Sequence, residues 1–393
     1  MTQVMSDRPT NRFPGLADGW ARFDAPAGTL MVDSAIDAMT AFASDGRNAN
    51  SGGAFAAAEA TSAQLEAARS AVARLFGADP TGVVFGQSMT ALTFAFSRAV
   101  GRLLRPGDRV LGTRLDHDAN VTPWRLAAGE ADADHELVPF DVDSGRLPAD
   151  AVIDRLDDRV RWLTVTGASN LLGSQPDLPP LIEAAHTVGA KVFVDAVHLA
   201  PHAAIDVAAL GCDALVTSPY KWYGPHSGVL CATPALLDEL AHYRVRPSPP
   251  SGPGAWETGT PAFEALAAVE AAAEFLAEDE GAHRRADHDV FAHLLDGLTA
   301  TEGVTIHGPA DLIERTPTVA FTVEGSHPDE VAAALAADRI AVWSGHSYAV
   351  EVVDALGLTD RGGVVRAGVV RYVTRDDVDR LLHCLAHHCS ARR

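Results

Sequence analysis

Short apolar runs of strand length alternate with longer helical segments over the first two thirds of the chain. The runs lie at 83–86, 109–112, 162–166, 191–195 and 216–217. Their β-branched and aromatic residues are typical of parallel strands that are buried on both faces. The segment from 162 to 195 is a strand–helix–strand unit, with its helix at 181–188. The pattern therefore predicts an α/β fold with a mainly parallel sheet, of the seven-stranded type, between helices.

One helix of the pattern has both of its ends marked in the sequence. Thr61 and Gln64 form a capping box, and Gly77 follows the last apolar residue of the stripe. Because a capping box marks the first turn of a helix, we predict a helix at 61–76, with its stripe facing the core.

The periodicity changes after an alanine-rich helix predicted at about 262–278. From about residue 282 it indicates a smaller α+β unit, with strands near 318–323 and 339–342. We therefore predict two domains joined by the long helix: a large one at 24–260 and a small one formed by 1–23 and 280–393.

Composition and charge narrow the class of protein. The 31 basic and 52 acidic residues give a net charge of −21, which argues against nucleic acid and anionic membranes as partners. No apolar run is long enough to span a membrane, and the N-terminus lacks the apolar core of a signal peptide, so we predict a cytoplasmic enzyme. The four cysteines have no CxxC spacing, and we predict no metal site.

Candidate chemistry lies at the ends of two of the predicted strands. Asp195 ends one strand, and Lys221 follows the next one in the stretch 216–225. A lysine buried there has a lowered pKa and becomes a nucleophile. A nucleophilic lysine beside a carboxylate is what pyridoxal 5'-phosphate (PLP) needs, because the lysine binds the cofactor covalently and the carboxylate keeps its pyridine nitrogen protonated. Taken singly, Asp195 is better explained as the cap of the next helix and Lys221 as a solvated loop residue; together with the motifs below, they favour the cofactor.

A phosphate site is predicted where the strand at 83–86 turns into a helix. Free amides at a helix N-terminus bind anions, and small hydroxyls assist them. The turn at 87–90 places Ser88, Met89 and Thr90 in that position. An ordinary helix start explains the turn equally well when it is considered alone.

The motifs Val-Asp-Ala-x-His at 194–198 and Ser-x-x-Lys-x-Tyr-Gly-Pro at 218–225 resemble a known family. They look like the aminotransferase class V family of fold-type I PLP enzymes, in the cysteine desulfurase-like and selenocysteine lyase-like branch. The resemblance runs from about residue 24 to 385. It implies the fold-type I PLP-dependent transferase fold, an L-amino acid substrate and a homodimer with active sites shared across the interface.

The resemblance also assigns roles to individual residues. In the segment 116–124, His117 matches the residue that stacks on the pyridine ring, with Asp116 in place of the usual Glu. Asn170 and His198 match residues near the phenolic oxygen of the cofactor, and Ser218 faces its phosphate. Residues 23–29 match a segment on the substrate side. The remaining assignments are Thr260 to the phosphate bound in the partner subunit, Arg366 and Asn170 to the substrate carboxylate, and Asn50 and His346 to the substrate pocket.

Besides Asp116, the resemblance breaks at two positions. Tyr348 stands where cysteine desulfurases carry the cysteine that accepts sulfur, and Tyr220 stands where they usually carry histidine. Arg371 is predicted to form a surface ion pair. A phenol cannot accept sulfane sulfur, so we expect cleavage of a C–S bond, desulfurase-like or by a cysteine-conjugate β-lyase, with Tyr348 or His346 as the acid for the leaving group.

Several alternatives to this function remain open. They are a class V aminotransferase, an epimerase and, more remotely, a non-catalytic PLP-binding protein. The last would be expected to lose Lys221 or Arg366, and both are present. A dinucleotide-binding dehydrogenase would need a Gly-x-Gly-x-x-Gly turn after its first strand, and the sequence has none.

Overall fold

The computed structural model describes residues 9–278 and 280–390. Its strands are β1 Ala21–Arg22, β2 Val83–Gly86, β3 Arg109–Thr113, β4 Asp134–Val138, β5 Val160–Thr166, β6 Lys191–Asp195, β7 Ala214–Thr217, β8 Gly228–Ala232, β9 Val304–His307, β10 Thr318–Val323, β11 Ile340–Ala341, β12 Trp343–Gly345 and β13 Val364–Gly368. Its helices are α1 Asp33–Ser44, α2 Ala56–Phe76, α3 Met89–Gly101, α4 Thr122–Glu130, α5 Ala149–Ile153, α6 Leu178–Thr187, α7 Val207–Leu210, α8 Pro234–Glu239, α9 Pro253–Trp256, α10 Phe263–Ala277, α11 Glu280–Ala300, α12 Pro328–Ala337, α13 Val350–Ala355 and α14 Arg375–Ser390.

A seven-stranded sheet forms the centre of the molecule, with the order β2-β8-β7-β6-β5-β3-β4. Only β8 runs antiparallel to its neighbours. The apolar residues of β6 are fully buried and point alternately to two core clusters: Val192 and Val194 to one side, Phe193 to the other, where it packs on Phe96 and Trp124. The predicted α/β fold with a mainly parallel sheet between helices is confirmed.

A second, antiparallel sheet follows later in the chain, with the order β12-β13-β10-β9. The N-terminal strand β1 pairs in parallel with β11, so residues 21–22 lie beside residues 340–341. The strand predicted at 339–342 is instead two short strands, β11 and β12. The division into domains at 24–260 and at 1–23 with 280–393 stays a prediction, and residues 1–8 lie outside the described residues.

The predicted start of the helix before Gly77 is wrong. Helix α2 begins at Ala56, and Thr61 lies inside it, where its hydroxyl donates to the carbonyls of Arg47 (2.8 Å) and Ala57 (3.1 Å). The alanine-rich residues before Thr61 favour helix strongly enough to extend it through the capping signal. The helix ends at Gly77, as predicted, in the left-handed conformation that glycine adopts without strain.

A buried ion pair connects α2 to two segments near the predicted phosphate site. Arg69 donates to both carboxylate oxygens of Glu257 (2.8 and 2.6 Å) and to the carbonyl of Val83, while the amide of Phe85 donates to the same carboxylate (2.9 Å). Both charged side chains are more than nine-tenths buried. The pair therefore fixes β2 against the residues that lead to Thr260.

Replacing Glu257 with glutamine is expected to lower the free energy of unfolding by about 3–5 kcal/mol, because it leaves the buried Arg69 charge with only the exposed Glu66 carboxylate at 3.5 Å. Urea unfolding followed by circular dichroism measures this. The matched control is Asp311→Asn, which breaks the exposed Arg146–Asp311 pair (2.7 Å) and should cost about 0–1 kcal/mol. Equal losses in the two variants would contradict the structural role of Arg69.

Within the described residues, no helix combines the length and the apolar character needed to cross a membrane.

Candidate active site

Asp195 and Lys221 lie at the same edge of the large sheet. Asp195 is the last residue of β6 and pairs in register with Val216 of the parallel strand β7. Lys221 ends the short helical turn Pro219–Lys221 that follows β7. Because parallel strands bring their carboxyl ends to one edge, the two side chains face the same crevice, which is where open α/β sheets bind ligands.

The amine of Lys221 is held by main-chain oxygens of the N-terminal segment. Its Nζ donates to the carbonyls of Pro26 (2.5 Å) and Ala27 (3.0 Å). Burial lowers the pKa of Lys221 to about 7, and the Arg366 charge adds to the effect while Asp195 opposes it. Near neutral pH about half of this amine is therefore unprotonated and able to act as nucleophile or base. The chain has one other lysine, Lys191, at the start of β6.

The Asp195 carboxyl is buried but accepts a hydrogen bond from the amide of Val197 (2.9 Å). Burial raises the pKa of Asp195 to about 6, against the opposing effects of that amide and of Lys221. The group therefore remains largely ionised near neutral pH and can pair with a protonated ring nitrogen.

His117 precedes the short helical turn Asp118–Asn120. Its Nδ1 accepts a hydrogen bond from the amide of Ala119 (3.0 Å), so the neutral ring carries its proton on Nε2. The pKa of His117 is lowered to about 3, mainly by burial and also by the charges of Lys221 and Arg366. The ring is therefore uncharged at neutral pH, which suits stacking on another flat ring.

The loop after β12 comes to His117 from the second sheet. The rings of Tyr348 and His117 stack with their centroids 5.3 Å apart and an angle of 24°. The amide of Asp118 donates to the Tyr348 carbonyl (2.8 Å), and Asn170 Nδ2 donates to the Ser347 carbonyl (2.8 Å). Ser347 and Tyr348 both have positive φ (49° and 60°), a conformation that costs energy for residues other than glycine. Two hydrogen bonds to loops of the first sheet thus hold Ser347 and Tyr348, which form the strained tip of this loop.

His346 and Tyr348 form the exposed side of this tip. Tyr348 is 65% exposed, and its amide donates to His346 Nδ1 (3.0 Å). The His346 ring meets the Tyr348 ring edge-on at 6.0 Å. Both side chains are therefore accessible at the mouth of the crevice.

Arg366 reaches the crevice from β13. It is buried, and its Nη1 donates to the Asn170 carbonyl (2.7 Å). Burial lowers the pKa of Arg366 to about 10, so the guanidinium remains a cation. Within the described residues, Arg366 Nε and Asn170 Oδ1 are buried without a hydrogen-bond partner. An unpaired guanidinium edge beside an unpaired amide oxygen suits a ligand that carries a carboxylate and a donor group.

The turn after β2 has the features of an anion site. Ser88 caps α3 by accepting a hydrogen bond from the amide of Ala91 (3.1 Å), which leaves the first-turn amides of Met89 and Thr90 without intrahelical acceptors. Gly228 packs so closely on this turn that a Cβ there would lie 2.3 Å from the carbonyl carbon of Ser88. Ser218 Oγ, after β7, is buried and has no partner in the described part of the chain.

His198 does not point freely into the crevice. Its Nε2 lies 3.2 Å from Thr316 Oγ1 and 3.1 Å from Thr318 Oγ1, both near the start of β10. Burial lowers its pKa well below the usual value, and the charges of His202 and Lys221 act in the same direction. A neutral His198 therefore links the first sheet to the second, and its predicted contact with the cofactor stays a prediction.

Two further predicted residues lie at the surface. Asn50 is exposed in the loop between α1 and α2, and no hydrogen bond or ring contact within the described residues joins it to the strand-end side chains. Thr260 is also exposed, and with Gln87 and His226 it lines a cavity of about 650 Å³ beside the predicted phosphate turn. The predicted roles of both residues stay predictions.

The prediction for Arg371 is wrong. Its side chain is buried and donates to the carbonyls of Phe275 (2.7 Å) and Leu276 (2.5 Å) instead of forming a surface ion pair. These are last-turn carbonyls of α10, where the regular intrahelical N–H donors run out. Arg371 lies beyond the end of β13, where strand alternation no longer determines which way its side chain points.

The buried carboxyl of Asp116 belongs to a network that the sequence did not predict, since there it appeared only as a replacement for the usual Glu. It accepts hydrogen bonds from Thr113 and from Asn120 Nδ2 (2.8 Å), and Asn120 in turn accepts from Trp124 Nε1 (3.0 Å). Burial raises the pKa of Asp116 to about 8, and the nearby Asp195 adds to this. The spacing of four between Asp116, Asn120 and Trp124 is the signal that could have revealed the network, which orders the turn carrying His117.

The residues present fit PLP. Asp195 suits the ring nitrogen, Lys221 the aldehyde and His117 the ring face, while the unpartnered Ser218 hydroxyl and the free amides of Met89 and Thr90 suit the phosphate. Within the described residues, no group of three or more histidine, cysteine, aspartate or glutamate side chains is placed to hold a metal ion.

Comparisons with known proteins agree with this fit. The aminotransferase class-V family matches residues 22–381. An uncharacterized protein of Mycobacterium tuberculosis is 33% identical over 390 residues, covering 95% of this chain and 96% of that protein. A cysteine desulfurase of Salmonella agona is 29% identical over 379 residues, covering 92% and 91%.

Solved structures show the same relationship. The cysteine desulfurase CsdA of Escherichia coli superimposes with a TM-score of 0.89 at 27% identity, covering 97% of this chain and 98% of that one. The cysteine desulfurase of Thermococcus onnurineus gives 0.90 at 25% identity, covering 98% and 100%. Because the family match spans most of the chain, the chain belongs to the aminotransferase class-V family and is a PLP-dependent enzyme of its cysteine desulfurase-like branch.

Proposed function

We propose that the enzyme cleaves the Cβ–S bond of an L-cysteine derivative by β-elimination. The observation that carries this proposal is the stack of Tyr348 on His117, which puts a phenol where the resemblance expects a sulfur-accepting cysteine. A phenol cannot take up sulfane sulfur, but it can give a proton to a departing thiolate. Elimination therefore suits this crevice better than transfer of sulfur to the protein.

The positions of the thiols support the proposal. Cys212 precedes β7, and Cys231 is opposite Leu215 in the ladder between β7 and β8, so both lie toward the edge of the sheet away from Lys221. Burial raises the pKa of both thiols to about 12. Cys384 and Cys389 lie on α14. A protonated, buried thiol is a poor sulfur acceptor.

Four side chains have separate roles in the reaction: Lys221, Asp195, Arg366 and Asn170. PLP, when bound, supplies an electron sink for the pair left at Cα. The neutral Lys221 amine removes the Cα proton, and Asp195 keeps a positive charge on the ring nitrogen. Arg366 binds the α-carboxylate through its unpaired edge, and Asn170 Oδ1 accepts a hydrogen bond from the ligand.

The leaving sulfur needs a proton as the Cβ–S bond breaks. The Tyr348 hydroxyl donates it, and His346, which contacts Tyr348, is the second candidate. The overall reaction takes one water and yields a thiol, pyruvate and ammonium, so no oxidant or reductant is required. His117 stays neutral and confines the reacting groups from one side.

We propose that a second subunit completes the binding site for the phosphate of the cofactor. Ser88, Met89, Thr90 and Ser218 of one chain would bind the phosphate together with Thr260 of the other. The exposure of Thr260 in the single chain is compatible with this arrangement. A homodimer is therefore the proposed working form.

Product analysis after anaerobic incubation with L-cysteine, cystine and an S-alkyl cysteine tests the reaction. Pyruvate and ammonia are expected in equal amounts, together with the same amount of sulfide from L-cysteine, persulfide from cystine or thiol from the S-alkyl cysteine. Alanine with sulfane sulfur would instead mean desulfuration, and conversion of the cofactor to its amine form without release of sulfur would mean transamination. Either result would overturn the proposal.

The same assay tests whether Tyr348 is the proton donor to the leaving sulfur. Tyr348→Phe should lower kcat for an S-alkyl conjugate by about 10²-fold, the usual size of a general-acid effect. It should change kcat little for an S-nitroaryl conjugate, whose thiolate leaves without a proton. Equal losses for both substrates would remove Tyr348 from the proton-donor role and leave His346 to be tested in the same way.

A further inference from the structure

The ring of Tyr220 lies beneath the amine of Lys221. The Lys221 Nζ is 5.0 Å from the ring centroid. The same Nζ donates to the carbonyls of Pro26 and Ala27, so three electron-rich groups surround it. An ammonium over an aromatic face is attracted by the negative charge of that face.

Neighbouring residues keep the Tyr220 ring in this orientation. The His226 ring stacks on it with centroids 4.9 Å apart and an angle of 12°. Gly28 approaches its edge so closely that a Cβ would lie 3.2 Å from Tyr220 Cδ2. The amide of Thr29 donates to the Tyr220 carbonyl (2.9 Å). The ring is thus fixed from its face, its edge and its main chain.

We propose that Tyr220 is a positioning residue for Lys221, whose free ammonium group it holds over its ring and against the main-chain carbonyls of Pro26 and Ala27. The inference rests on the role given to Lys221 above. It explains how the amine stays in one place, on the substrate side, whenever it is not bound to the cofactor. Without the ring, only the two carbonyl hydrogen bonds would hold the flexible four-carbon side chain.

Charged and titratable groups act on Lys221 from several elements. Arg366 from β13 opposes its protonation, and Asp195 from β6 favours it. His117 and His198 also lie within electrostatic range, but both are neutral near pH 7. None of these groups lies on the Pro219–Lys221 turn, so a change at Tyr220 leaves them in place. The Tyr220 face adds to Asp195 in favouring the ammonium form.

The experiment is the capture of PLP by full-length apoprotein, followed by absorbance over a pH series. Only the neutral amine reacts, so the rate rises with pH through the pKa of Lys221, near 7 in the parent. Tyr220→Leu removes the ring face and should lower this midpoint by about 0.5 to 1 pH unit. One unit below the parent midpoint, the variant should therefore capture PLP about three- to five-fold faster. General damage to the fold would slow capture at every pH.

Tyr220→Phe is the matched control, because it keeps the ring and should keep the parent midpoint. An unchanged midpoint in Tyr220→Leu, or an equal shift in Tyr220→Phe, would overturn the proposal. If circular dichroism shows that Tyr220→Leu does not fold, Tyr220→His replaces it. A smaller fall of the pH midpoint is then expected, and an unchanged midpoint would again contradict the proposal. A parent protein that captures PLP with no midpoint near 7 would instead overturn the assignment of Lys221 itself.

Discussion

Replacing Lys221 with alanine is expected to lower kcat by about 10³-fold or more, because the variant loses both the covalent attachment of the cofactor and the base for the Cα proton. In the parent, kcat should rise with pH through about 7, the pKa of the Lys221 amine, because the bound substrate displaces this amine from the cofactor and its neutral form is the base. That limb should vanish in the variant. Steady-state rates over a pH series measure both effects.

The chain has two lysines, so a single variant serves as the control for this prediction. Lys191, the other lysine, lies between Asp213 and Glu239 (both 3.8 Å). Lys191→Ala should therefore retain the parent kcat, its rise with pH and the yellow colour of the cofactor bound to a lysine. Borohydride should fix the cofactor to the parent and to Lys191→Ala but not to Lys221→Ala. Retained turnover in Lys221→Ala, or fixation at residue 191, would refute the assignment.

Replacing Arg366 with glutamine is expected to lower kcat/KM by about 30- to 4,000-fold, which corresponds to the about 2–5 kcal/mol lost when one partner of a buried charged hydrogen bond is removed. The loss should appear mainly in KM, because the guanidinium holds the substrate carboxylate before and during the reaction. Arg366→Lys keeps the charge but not the planar fork, and should fall between the parent and Arg366→Gln.

Arg371 provides the matched control for Arg366, being a second buried arginine just after the same strand. Its guanidinium caps the last turn of α10. Arg371→Gln should therefore lower stability by about 1.5–3 kcal/mol and leave KM unchanged. If Arg371→Gln raised KM as much as Arg366→Gln, a direct contact between Arg366 and the substrate would be excluded as the explanation.

The sequence predicted the central sheet because buried parallel strands read as unbroken apolar runs. It predicted the strand-end pair Asp195 and Lys221 for a related reason. A charged residue that follows a buried parallel strand lies at the carboxyl end of the sheet, where ligands bind. Helix starts were less predictable. The capping signal at Thr61 was overridden by the helix preference of the alanines before it.

Contacts between distant segments could not be predicted from the sequence. The stack of Tyr348 on His117 depends on how the second sheet sits against the first, and the link from His198 to the threonines near β10 depends on the same packing. Arg371 shows the limit most clearly. Its direction follows from the carbonyls in the last turn of α10 to which it donates, almost a hundred residues earlier in the chain.

The tip that carries Tyr348 has a consequence for substitutions at this position. Two hydrogen bonds hold it, and both end on main-chain carbonyl oxygens, at residues 347 and 348. Any residue that tolerates the positive φ of 60° supplies such an oxygen, so a mutation at position 348 can exchange the side chain over the crevice and keep both hydrogen bonds. A single codon change there would therefore replace the side chain at the mouth of the crevice while the two main-chain hydrogen bonds that hold the loop stay in place.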